Sequence, residues 1–177
     1  MVEEPPKTLH ELAGHVGQYP EEAFLFIREG LSFASERVHG PETSAHRHLQ
    51  QYLLLYDLDW SDLIVKYQAS ELPGPLAAAI DAAGGCEKLN RHVNGRELCW
   101  ALRDYALERW GMLAKTVLEG WNIKQTNDFG RIVFGFIDFD MMRKQPEDTL
   151  DDFDDIYNFN EAFDQTHGDD LCKEKDA

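Results

Sequence analysis

The chain has 177 residues, 43% of them apolar, with ten Phe, six Tyr and four Trp and a net charge of -16. That supply of apolar and aromatic side chains builds a core, which sets the sequence apart from acidic disordered chains poor in such residues. The acid excess disfavours phosphate backbones and anionic membranes, because nucleic-acid binding rests on a basic patch that neutralises phosphates.

The start, MVEEPPKTLHEL, has neither the basic opening nor the apolar stretch of ~7–15 residues of a secretory signal. The longest apolar runs fall short of the ~18–20 residues that span a bilayer. A cytoplasmic location with no membrane partner is therefore expected. Cys86, Cys99 and Cys172 are odd in number and form no Cys-x-x-Cys, so reduced thiols are expected and neither a disulfide framework nor a zinc site is indicated. No cofactor is expected. The charge is unevenly placed, since residues 138–177 hold 14 acidic and 4 basic residues. A basic protein partner suits that field, although acidic excess also serves solubility alone.

Residues 1–18 are polar, contain Pro5-Pro6, and read as a loose arm or a short docking segment. Pro20 suits a first helical position, and Phe24, Ile27, Leu31, Ala34 and Val38 recur at steps of three and four until Gly40-Pro41. Ser44 is the expected cap of a second helix with Leu49, Tyr52, Leu53 and Tyr56 on its inner face. Asp59 caps a third carrying Trp60, Leu63, Ile64 and Tyr67, and a short fourth runs from 76 to about 83, between Pro73-Gly74-Pro75 and Gly84-Gly85. Asn94 and Glu97 form a capping-box pattern ahead of Leu98, Leu102, Tyr105 and Ala106. The helix bends or breaks near Gly111, giving two helices or one kinked helix, and the apolar face restarts at Leu113, Val117, Leu118 and Trp121. Asn122 suits a left-handed cap, Ile123 tucks inward, and Thr126 opens a last helix with Phe129, Ile132, Val133, Phe136 and Ile137 facing the core. The pattern predicts a mainly α protein, a compact bundle of six to seven helices. It forms one domain over 19–163, with an extended or partly disordered acidic C-terminal segment and a disordered tail over 164–177.

The stretch RHVNGRELCWALRDYALERWGMLAKTVLEGWNIKQTNDFGRIVFGFI, with the later MRK and DDFDDIYNFNEAF and the earlier YPEEAFLFIREGL, resembles an uncharacterised bacterial family seen mainly in planctomycetes and verrucomicrobia. The resemblance covers 91–163 and the start of the domain, and leaves residues 41–85 outside it. It implies no activity, cofactor or catalytic residue.

His39, His46 and His48 are the densest histidine group, but His46 and His48 fall on different faces of a helix, which favours a solvated surface over a metal site. Arg103, beside Asp104, and Arg131, beside Asp128, are candidate anion or ligand contacts, each weighed against a structural ion pair. The run from Leu113 through the helix after Thr126 has the outline of a helix-turn-helix, yet its second helix offers only Arg131 as a cation between Asp128 and Asp138. Nucleic acid is not the expected partner. The acidic run at 151–155 lacks the register of a calcium-binding loop. The interleaved aromatics Phe153, Ile156, Tyr157, Phe159 and Phe163 make a docking segment, for a partner or for the bundle itself. The reading that results is a non-enzymatic helical interaction module. The alternatives are an enzyme or small-ligand binder using Arg103 or Arg131 with Asp104 or Asp128, and a helix-turn-helix regulator.

Overall fold

A computed structural model describes residues 7–164, and every regular element among them is helical. The elements are α1 (Leu9–Val16), α2 (Glu21–His39), α3 (Ser44–Leu55), α4 (Trp60–Gln68), α5 (Gly74–Ala83), α6 (Cys86–Leu89), α7 (Gly95–Trp110), α8 (Ala114–Gly120), α9 (Thr126–Asp138) and α10 (Phe159–Ala162). Two 3₁₀ turns, Gly111–Leu113 and Leu150–Phe153, complete them. All seven helices expected from the periodicity are present, as α2 to α5 and α7 to α9. Most of the expected tail, and the first six residues of the expected arm, lie outside the described residues.

Within and around the stretch 19–163 that sequence reasoning treats as one domain, the chain packs as two compact units. The first takes in 7–34, Val93–Met142 and 148–164, and the second Ser35–His92 with Arg143–Glu147. The second unit contains residues 41–85.

In the first unit the residues from Thr8 onward form a docked segment and not a loose arm. The Thr8 hydroxyl accepts from the Glu11 N–H (3.2 Å) while the Glu11 carboxylate accepts from the Thr8 N–H (2.8 Å), a capping box that starts α1. Leu12 is then fully buried. The core joins it to Phe24, Phe26 and Ile27 of α2, Leu98 and Leu102 of α7, Leu118 of α8, and Phe129, Ile132 and Phe136 of α9. Asn94 and Glu97 close the expected capping box of α7. After α8, Asn122 takes the left-handed conformation (φ 64°), the Ile123 N–H donates to the Leu118 carbonyl (2.9 Å), and Ile123 is fully buried. Leu113, placed by periodicity on the inner face, is instead 65% exposed at the 3₁₀ corner.

The acidic C-terminal segment belongs to this core. Phe153, Phe159, Ala162 and Phe163 are buried, with Ile156 and Tyr157 packed against them. The Thr126 hydroxyl, expected to cap α9, lies inside it; it donates to the Phe153 carbonyl (2.6 Å) and accepts from the Ile156 N–H (3.3 Å). Gln125 takes the cap position instead. The Tyr157 hydroxyl donates to the Cys99 carbonyl (2.7 Å).

The second unit has its own core of Leu49, Leu63, Leu72, Ile80, Cys86 and Leu89, lined by Tyr52, Leu53, Trp60, Ile64 and Tyr67. α4 starts from Asp59 and Asp62 as a capping box. The cap of α3 is Thr43 rather than Ser44, with His46 as its reciprocal partner. The Tyr67 hydroxyl donates to Asp81, tying α4 to α5.

Candidate functional site

α3 ends in an unusual surface. Leu49, Tyr52 and Leu53 face the second core, so at ~100° per residue the next positions rotate outward. Asp57 then adopts φ 54°, and the Leu58 N–H turns back onto the Leu53 carbonyl (2.9 Å), which stops the helix. Leu54, Leu55 and Tyr56 are left 68%, 76% and 60% exposed. Tyr56 packs against Tyr52, with ring centroids 4.7 Å apart and the rings tilted by 48°. The sequence pattern had placed Tyr56 on the inner face. Arg143 is ion-paired with Asp57 beside this tip. Val65 on α4 is a further outward apolar residue of this unit, as is Val38 at the end of α2, which periodicity had assigned to the core.

Counted over the sequence, the second unit carries nine acidic and seven basic residues, a net of -2, while the described residues of the first carry 18 acidic and eight basic, a net of -10. The exposed leucines therefore stand on a nearly neutral body while the acid excess belongs to the other. Near the start of α3 a shallow groove of about 280 Å³ is lined by Ala45, His48, Gln51, Pro75, Leu76 and Ala79. Its walls are mostly apolar, with His48 and Gln51 as its polar groups.

The residues singled out from the sequence are placed otherwise than a ligand site requires. Asp128 is 5% exposed and is occupied on both oxygens: Oδ2 accepts from the Lys124 N–H (2.8 Å) and the Gln125 N–H (3.1 Å), and Oδ1 from the Tyr19 hydroxyl (2.6 Å) and Arg131 (3.2 Å). It pins the turn before α9 to the chain before α2. Arg131 is half exposed and held by that carboxylate. Burial first, and then the hydrogen bond to Asp128, push the Tyr19 phenol up to about 12.

Arg103 is 13% exposed in its side chain, lies over the Trp100 ring (5.4 Å) and has Nε 3.2 Å from Asp104 Oδ1. That pair reaches ion-pair distance without hydrogen-bond alignment, because neighbouring residues of one helix diverge by ~100°. Arg109 reaches Glu29 (2.6 Å), and Tyr105 donates to the same carboxylate (2.9 Å). Each arginine is thus engaged by an acid of its own surroundings, the structural alternative to an anion anchor.

Of the docking segment's residues, Phe153, Phe159 and Phe163 are buried in the first unit's own core, with Ile156 and Tyr157 packed partly buried against it, which is the arrangement of a segment docked on its own bundle. Tyr157 illustrates the environment, since burial raises its phenol well above the ordinary range.

Among the described residues no group of three or more His, Cys, Asp or Glu is placed to hold a metal ion. His39 Nε2 lies 2.6 Å from the His92 carbonyl, so that nitrogen carries the proton and donates. No described helix is long and apolar enough to cross a membrane. Compared with known proteins, the chain matches no family model, no curated protein and no solved structure.

Proposed function

We propose that the chain is a non-enzymatic helical protein-interaction module whose contact surface is the tip of α3. The observation that carries this reading is the run of three large apolar residues, Leu54, Leu55 and Tyr56, each at least 60% exposed, on a unit with a net charge of -2. Single exposed leucines are ordinary on a protein surface, whereas a contiguous exposed apolar patch marks an interaction site, and Tyr56 is of the residue type that anchors one. The net -10 of the first unit's described residues adds a long-range field that favours a partner with a basic surface. Membership of the planctomycete and verrucomicrobial family belongs to the same proposal, and its motifs fall largely on the first unit.

The test compares the intact chain with a Leu54→Ser/Leu55→Ser double variant in affinity capture from the native cell extract, with bound proteins identified by mass spectrometry. Both leucines point to solvent, so the variant should unfold within about 0.5 kcal/mol of the parent. A protein retained by the parent at low salt and lost from the variant supports the reading. Equal retention by both, or by neither, overturns it. Truncation after Lys144 does not serve as a control, because it removes Phe153, Phe159 and Phe163 from the core.

A further inference from the structure

We propose that His46 is a proton-operated cap of α3: its neutral imidazole closes the helix N-terminus, and protonation opens it.

An α-helix begins with amide groups that have no partner within the helix, and a capping box satisfies two of them reciprocally. At α3 the Thr43 hydroxyl accepts from the His46 N–H (3.5 Å), and His46 Nδ1 accepts from the Thr43 N–H (2.9 Å). An amide nitrogen only donates, so Nδ1 must hold a free lone pair, and the cap exists only with a neutral ring. The corresponding residues of α1, α4 and α7 are Glu11, Asp62 and Glu97. Carboxylate side chains as a class ionise well below the histidine range, whereas imidazole titrates near ~6.5. Protonation of His46 has two effects of the same sign. It removes the acceptor, and it sets a cation on the positive end of the helix dipole, where α3 has no acidic residue in its first turn.

The surroundings oppose that charge. Burial is the largest influence lowering the basicity of His46, followed by Arg91, with His39 adding to them and Glu42 alone acting the other way. Arg91 is fixed by the Ser35 hydroxyl (3.1 Å) and the Gly40 carbonyl (2.8 Å), so its charge does not swing away. The folded-state basicity is therefore below that of free imidazole. The cap's contribution is complete above about pH 6.5 and is lost as the pH falls below it.

Hydrogen exchange on the intact chain, corrected for intrinsic rates, tests this between about pH 7.5 and 5, a window that brackets the histidine range. Protection of the α3 amides of Leu49, Tyr52 and Leu53 should fall about five-fold relative to those of α7, the effect of losing one N-terminal cap. His46→Glu, which restores a carboxylate cap, should abolish the fall, and His48→Gln should retain it. Unchanged α3 protection across the range overturns the proposal, as does an equal fall in His46→Glu. So does a His46 ring resonance that titrates at or above the free value.

Discussion

Asp128 serves four donors with two oxygens, and its position explains why a carboxylate is tolerated in the core of the first unit. Three of its partners are neutral, two of them backbone amides, and the fourth is the Arg131 guanidinium. Replacing it with Ala leaves the Tyr19 hydroxyl and the two amides without acceptors, so Asp128→Ala should lower the unfolding free energy by about 1–3 kcal/mol, read from the urea midpoint. Tyr19 supplies a pH signature of the same network. Its phenol is raised in the fold from 10.0 to about 12, so its stabilising contribution is complete below pH 10 and is lost as the pH rises from there towards 12. Tyr19→Phe should flatten the alkaline fall in stability over that window, measured alongside phenolate absorbance.

At the scale of elements, the close seating of the C-terminal segment depends on α7 and α9 offering no side chain where it crosses. A Cβ on Gly130 would lie 2.8 Å from Phe153 Cγ and 2.9 Å from Leu150 Cδ1, and one on Gly95 would lie 2.9 Å from Asp152 Cβ. Gly130→Ala should therefore destabilise the first unit by about 1–3 kcal/mol, despite the better helix propensity of Ala, in thermal unfolding. The seven longer helices were legible because their apolar positions recur at helical spacing and Asp59, Asn94 and Asn122 announce their ends. α1 was missed because Thr8 and Glu11 lie in a polar stretch with Leu12 as its one fully buried residue. The candidate site was legible only in part. The leucine run before Tyr56 was visible as an apolar string, but which of its members face outward depends on the left-handed turn at Asp57. The cap at His46 escaped notice because histidine is not among the residues expected three places after a cap.

For the whole molecule, the division into a unit whose described residues carry a net -10 and a unit of net -2 has a thermodynamic consequence. Like charges on one compact body repel, and raising the ionic strength from about 0.01 to 0.15 M shortens the screening length from ~30 to ~8 Å. Salt should stabilise the first unit and leave the second nearly unchanged. The chain carries its own means of reading the two apart, because one buried thiol falls in each: Cys99 is fully buried in the first unit and Cys86 is 7% exposed in the second. Burial raises both thiols above their ordinary range, so neither forms thiolate readily while its unit is closed. In a Cys172→Ser background, the rate at which a disulfide reagent labels Cys99 should fall as salt is added, while labelling of Cys86 should hold steady. Two native sulfur atoms thus act as separate clocks, each timing the opening of the unit that encloses it.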